Sequence, residues 1–223
     1  NGDAKLHPDT ILEAVKLAES DQTIGSVQSR IMLWKQPEVV NVTGGMVHFL
    51  GFGFARDNGK AWDGVKASFF TFVQNQRKIP QVKNEALTPF EIAYASGAAV
   101  LYRASVLQQV GLLDSFLFLY HEDLELGWRI RLAGFKNVLS VDSIAYHNYE
   151  FKRSIKKFYW MERNRVLVHF SHLSLRTLAL LTFPLLFAEL GLIAFAIKGG
   201  WIREKLLVYV SLLSPRSWKY VAK

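Results

Sequence analysis

Glu122 and Asp123 stand side by side where one kind of sequence gives way to another. Before them runs Phe116-Leu117-Phe118-Leu119-Tyr120-His121, apolar and aromatic. After them Leu124, Trp128 and Leu132 recur at helical spacing, and Gly134 stands where a helix would take its C-cap. The two carboxylates therefore sit at a strand-or-loop to helix junction, where side chains can face a cleft rather than a core. Carboxylates so placed can take up or release a proton. Acidic residues are also favoured in the first turn of any helix, because they complement its dipole. The pair therefore gains meaning only from its surroundings.

Other chemically capable groups lie around it. Ser96-Gly97-Ala98-Ala99 is a run of small residues upstream. Such a run lets a backbone approach a ligand closely, and it equally suits a glycine bulge in a core strand. Arg129 follows the pair, and His147 ends the next apolar segment. Asn1-Gly2-Asp3 opens the chain and, taken alone, is a good turn. Arg163 and Asn164 lie in a helical stretch from Ile155 to Val168 that also carries Phe158-Tyr159-Trp160. Its cations suit phosphate groups or a solvated helix face.

The elements that must position these groups can be read in chain order. A helix carrying Ile11, Leu12, Val15 and Leu17-Ala18 follows His7-Pro8-Asp9, with Asp9 as its expected cap. Strand character appears at Ile24–Val27, Arg30–Leu33 and Val39–Thr43. Gly51-x-Gly53 opens no dinucleotide fingerprint, since no third glycine follows at the required spacing. Residues 60–90, around Trp62, Phe69-Phe70 and Phe72, read as a long excursion. Phe90 to Tyr102 reads as a buried strand interrupted by small residues, then a short helix ends at Gly111. Phe135 to His147 reads as strand.

Thr177 to Ile197 is apolar over about the 20 residues that cross a bilayer core. Pro184 is expected to kink it, and Glu189 is costly against lipid. A tilted, re-entrant or interfacial arrangement is therefore an alternative to a plain span. Trp201, Tyr209 and Trp218 suit an interface.

Composition narrows the classes. The 223 residues suffice for one domain with a core and an appendage. Half the residues are hydrophobic and 13% aromatic, which argues against disorder. With no cysteine, disulfides, thiolate metal sites and a cysteine nucleophile are excluded. Residues 1–149 carry 14 Lys and Arg against 15 Asp and Glu, a net −1, whereas residues 150–223 carry 13 against 4, a net +9. Such a tail suits nucleic acid or an anionic membrane. Because it is also the most apolar part of the chain, a membrane is expected and a nucleic-acid polymer is not.

Taken as a set, Ser96-Gly97-Ala98, the aromatic run into Glu122-Asp123, Arg129, His147 and Tyr159-x-x-x-Arg163-Asn164 resemble a family 2 glycosyltransferase of the GT-A fold. In particular they resemble the membrane-associated, rhamnosyltransferase-like enzymes of bacterial surface polysaccharide synthesis. The resemblance implies an α/β fold, the C-terminal half of a GT-A domain over residues 1–150, lacking an N-terminal nucleotide-binding part. Membrane-associated helices follow over 151–223. It implies inverting transfer of a sugar, rhamnose most of all, from a nucleotide diphosphate sugar to a hydroxyl of a glycan or lipid-linked acceptor.

The same resemblance assigns roles. Asp123 is the expected base, with Glu122 as neighbour and second choice. Asp3 and His147 are the expected ligands of Mg²⁺ or Mn²⁺; Asn1 stands where the family more often has Asp. Ser96, Gly97, Ala98, Arg129, Arg163 and Asn164 are expected to bind substrate. The cytoplasmic face of the inner membrane is the expected location. A polyprenyl-phosphate glycosyltransferase, or a non-catalytic membrane-bound scaffold or binding protein, are the alternatives.

Overall fold

In the computed structural model the chain is described at residues 2–66, 90–149 and 154–222. Asn1, Phe69-Phe70 and Phe72, for which expectations were stated, lie outside the described residues. Two compact units result. The first comprises Asn1–Met46, Phe54–Leu112 and Leu126–Tyr149; the second comprises Val47–Gly53, Leu113–Glu125 and Glu150–Lys223.

The first unit is built on a mixed sheet. Its two long strands, β2 (Ile24–Leu33) and β8 (Lys136–His147), run parallel to each other at its centre. Both are buried along most of their length, as parallel strands covered on both faces must be. Each long strand serves two partners. The beginning of β2 pairs with β7 (Val100–Tyr102) and its end with β3 (Gln36–Val42). The beginning of β8 pairs with β6 (Phe90–Ile92) and its end with β1 (Ala4–Leu6). A register shift between Ser29 and Arg30 marks the changeover. A small hairpin joins β4 (Gly45–Val47) to β5 (Gly53–Ala55).

Helix α1 (Thr10–Ser20) packs Ala14, Leu17 and Ala18 on Ile24, Val27 and Val138. Ile11, Leu12 and Val15, which the sequence suggests as core, are exposed instead. The buried stripe is set one step round the helix, at the i, i+4, i+7, i+8 positions of Thr10. Asp9 does not cap the helix with its side chain. Thr10 secures the start instead, its hydroxyl meeting the carbonyls of His7 and Ile144.

The expected strand over Phe90–Tyr102 is two short strands, β6 and β7, with a turn at Ser96–Ala99 between them. Helix α2 (Ala104–Val110) ends at Gly111, as read from the sequence. Helix α3 (Glu122–Leu132) begins at the acidic pair and ends at Gly134, whose φ of 88° is one that only glycine adopts without strain. Of the predicted Leu124–Trp128–Leu132 line only Leu124 is fully buried. Leu132 is 68% exposed, while Leu126 and Ile130 form a core with Val106. At Gly127 a Cβ would lie 2.3 Å from Tyr94 Cβ. The helix therefore turns its smallest residue toward that neighbour.

The second unit is mainly helical: α4 (Lys157–His172), α5 (Leu175–Lys198), α6 (Ile202–Leu212) and α7 (Pro215–Val221). Helix α5 continues through Pro184, and its apolar side chains face outward, with Leu180, Phe183 and Phe187 each at least 80% exposed. It is long and apolar enough to cross a membrane. Its Glu189 does not stand alone. Lys205 Nζ lies 2.7 Å from Glu189 Oε1, and Arg165 Nη2 lies 3.3 Å from Oε2. The Tyr209 hydroxyl also donates to Glu189. Glu162 completes the cluster, 2.8 Å from Lys205 and in two hydrogen bonds with Arg165. Two cations thus meet two carboxylates, which is what allows Lys205 to be fully buried.

Candidate active site

The acidic pair is presented by an unusual stretch of backbone in the second unit. Phe118, Tyr120 and His121 have φ of 61°, 63° and 67°. Non-glycine residues avoid this left-handed region, and each costs on the order of 1–3 kcal/mol unless its surroundings hold it. Asn164 does the holding. The two hydrogens of its side-chain Nδ2 are shared among the carbonyls of Leu117, Leu119 and Tyr120 at 2.8, 2.9 and 2.8 Å. Arg163 Nη1 donates to Asn164 Oδ1 at 2.8 Å and to the Phe116 carbonyl at 3.1 Å, which orients the amide. The Arg163 guanidinium also lies 4.2 Å from the Phe116 ring. Both residues are buried.

His121 is fixed from another side. Its Nε2 faces the Gly51 carbonyl at 3.3 Å, so that nitrogen carries the proton. Burial above all, with the nearby Arg165, holds the His121 imidazole down to about 4, against the opposing effect of the Gly51 carbonyl. His121 is therefore neutral at pH 7. His169 Nε2 and Arg165 Nη1 meet the two preceding carbonyls, Phe49 at 2.9 Å and Leu50 at 3.0 Å. Three consecutive carbonyls of the hairpin tip are thus held by three side chains.

Glu122 and Asp123 then occupy the first turn of α3 with different environments. Asp123 Oδ1 accepts the Leu124 backbone N–H at 2.8 Å. Glu122 Oε2 is buried with no hydrogen-bond partner among the described residues. Burial, followed by the adjacent Asp123 carboxylate, pushes the Glu122 carboxyl up to about 7. Two neighbouring carboxyls whose environments differ are the arrangement that separates acid from base roles.

The first unit holds the other expected groups. Asp3 Oδ1 and His147 Nε2 lie 3.5 Å apart, where β1 pairs with the end of β8. His147 Nδ1 lies 3.0 Å from Asn41 Oδ1, an oxygen that can only accept. That contact puts a proton on Nδ1, so Nε2 is the nitrogen that could serve a cation beside Asp3. One carboxylate oxygen and one imidazole nitrogen, the latter oriented by a partner behind it, are a donor set that fits a divalent cation. Among the described residues no group of three or more His, Asp or Glu converges. Two protein ligands suit an ion whose remaining positions go to phosphate and water, as Mg²⁺ prefers. Asn41 has no signal in the sequence; only the pairing of β3 and β8 with β2 brings it to His147.

Ser96, Gly97 and Ala98 form the turn between β6 and β7, and Gly97 is exposed. Gln28, fully buried on β2, accepts the Ser96 N–H at 2.8 Å and donates to the Val42 carbonyl at 3.3 Å, fixing the turn. Arg129 directs its guanidinium to the carbonyls of Val110 and Leu112, the latter at 2.8 Å, where it closes the end of α2. In the second unit Arg163 and Asn164 bond to the 116–120 backbone, and Arg163 Nε also donates to Ser211 Oγ at 3.2 Å.

The family model described as glycosyltransferase-like family 2 matches residues 1–166. No curated protein sequence matches the chain. Among solved structures, the chain is similar to a crystal structure of GalNAc-T7 with UDP, GalNAc and Mn²⁺, at 16% identity and a TM-score of 0.50. That likeness covers 74% of this chain and 29% of the other, and at such identity it speaks for the fold alone. The fold is α/β of the GT-A type, and the chain belongs to glycosyltransferase-like family 2 as a glycosyltransferase domain.

Proposed function

We propose that this chain transfers a sugar from a nucleotide diphosphate sugar to a hydroxyl of a glycan or lipid-linked acceptor, with inversion. The observation that carries the reading is the acidic pair: a partly buried Glu122 beside Asp123, at a helix start held by Asn164. Asp123 takes the acceptor proton while the acceptor oxygen bonds to the anomeric carbon and the bond from that carbon to the diphosphate breaks. Glu122, with its carboxyl raised to about 7, shares the proton-handling site. Asp3 and His147 would hold Mg²⁺ or Mn²⁺. Such a cation supplies charge to offset the departing diphosphate.

Ser96, Gly97 and Ala98, on an accessible turn, line the donor sugar. Arg129, Arg163 and Asn164 serve substrate binding indirectly, by holding the backbone around the acidic pair and helix α2. Residues 1–150 act as the catalytic domain and 151–223 as the membrane-associated part, at the cytoplasmic face of the inner membrane. Rhamnose is the donor sugar, and surface polysaccharide is the product class. The exposed apolar α5 favours a second reading, a polyprenyl-phosphate glycosyltransferase, whose product is a lipid-linked sugar phosphate rather than an extended glycan.

The test uses the full gene product in membranes with a panel of nucleotide sugars, with and without Mg²⁺ or Mn²⁺, and follows nucleotide diphosphate release. Metal-dependent release with one donor, lost in Asp123→Asn, supports the reading and identifies the sugar. A folded protein that releases nothing with supplied acceptors would favour the scaffold alternative.

A further inference from the structure

The second unit contains an apolar cavity of about 190 Å³ that neither the acidic pair nor its supporting bonds use. Val166, Leu167 and Phe170 of α4 line it, with Leu212 at the end of α6 and Trp218 and Val221 of α7. Ser217 also lines it, but its hydroxyl already donates to the Ser211 carbonyl at 2.8 Å. The wall thus offers a polar guest almost nothing. Phe170 and Trp218 are 41% and 56% exposed while lining the cavity, so it opens to the surface beside them. Pockets for drug-sized ligands begin near 300 Å³. This one suits a slender chain.

Two further observations say which chain. First, the same unit turns the apolar side chains of α5 outward, and Leu213 and Trp218 next to the cavity are exposed as well. A surface of that kind is matched to lipid rather than water. Second, Lys156, Arg176, Lys198, Arg203, Arg216 and Lys219 are all exposed. By contrast, Glu162 and Glu189 are engaged with Lys205 and Arg165. The outward charge of this segment is therefore strongly positive. Arg216 and Lys219 are exposed within one turn of Trp218 on α7, so cations stand on the helix that carries this residue of the opening.

We propose that the cavity receives one alkyl chain of an anionic phospholipid, whose phosphate headgroup is met by the cations of α7. The inference goes beyond sugar transfer and rests only on the membrane attachment stated above.

The experiment places the full chain on vesicles of phosphatidylglycerol or phosphatidylcholine with acyl chains brominated at mid-chain. The Trp218 emission is taken as the difference between the wild type and Trp218→Phe. Brominated phosphatidylglycerol is expected to lower that emission at least twofold, and phosphatidylcholine less. Val166→Phe fills the cavity and is expected to remove most of the quenching while flotation with phosphatidylglycerol vesicles persists. Leu212→Phe fills it from another helix and replaces Val166→Phe should that variant lack a cooperative melt. Arg216→Gln with Lys219→Gln is expected to erase the preference for phosphatidylglycerol.

Unchanged quenching in the filled variants would overturn the proposal, because lipid would then touch only the outer surface. So would an absence of Trp218 quenching, or a dimer in solution that buries Trp218. None of these measurements uses a nucleotide sugar, so their failure leaves the transfer reading standing, and flotation reports membrane attachment separately.

Discussion

The Asn164 side-chain amide donates to the Tyr120 carbonyl at 2.8 Å, two residues before Glu122. With its bonds to Leu117 and Leu119 it pins a stretch in which three residues hold positive φ. Removing the amide leaves three carbonyls without that donor. We expect Asn164→Ala to lose about 2–4 kcal/mol of stability. Transfer is expected to fall more than tenfold even where the variant remains folded, because the acidic pair is no longer held in place. Thermal melts alongside nucleotide release check this. Wild-type activity in a folded Asn164→Ala would refute the positioning role.

Asp123→Asn keeps the shape of the side chain and removes its basicity. The expected loss of kcat is about 10²–10⁴-fold, with a melting temperature within a few degrees of the wild type. A loss of less than threefold would assign the base elsewhere.

Glu122 titrates near neutrality in the folded protein, at about 7 against the ordinary 4.5. Its proton is held more tightly folded than unfolded. Its contribution to stability is therefore fully present below about pH 4.5 and declines as pH rises toward 7. Glu122→Gln keeps a neutral group there at every pH. The variant is expected to be more stable than the wild type at pH 8 and equal to it at pH 4.5, as read by denaturant midpoints. The limb of the kcat/KM profile near pH 7 is expected to vanish with it. An identical pH profile in the two proteins would count against this environment.

His121 slopes the other way. Its folded value of about 4 lies below the ordinary 6.5, so the unfolded chain binds the proton first on acidification. Stability is expected to fall between pH 6.5 and 4, in the window where the imidazole must stay neutral to remain buried. His121→Gln retains a donor for the Gly51 carbonyl and is expected to flatten that decline. Melts from pH 7 to 5 decide the point.

Asn41 lies behind His147, 3.0 Å from its Nδ1. Asn41→Leu is expected to weaken activation by Mn²⁺ about 10–100-fold, as loss of an outer partner does at metal sites. Titrating activity with Mn²⁺ measures it. Asp3→Ala is expected to weaken it more. The order reversed would remove Asp3 from the site.

Much of this protein was legible in its residues. Thr177–Ile197 is apolar at nearly every position, so its helix follows from composition, and it is observed over Leu175–Lys198. Gly111 and Gly134 end helices where their lack of a Cβ is needed. The acidic pair marks the start of α3 because a helix favours carboxylates in its first turn. These are local effects, carried by neighbours in the chain.

What depended on distant neighbours was not legible. Periodicity in α3 pointed to Leu124, Trp128 and Leu132, but only Leu124 of these is fully buried, and Leu126, Gly127 and Ile130 pack on Val106 and Tyr94 instead. Glu189 read as a cost against lipid, yet Arg165 and Lys205 on other helices neutralise it. Nothing around Asn164 in the sequence showed that its amide reaches backbone more than 40 positions away. Sequence by itself determined the kinds of element and the chemical groups available. Only the tertiary structure decided which group faces which, because hydrogen bonds and close packing act over a few ångströms of space and not over distance along the chain.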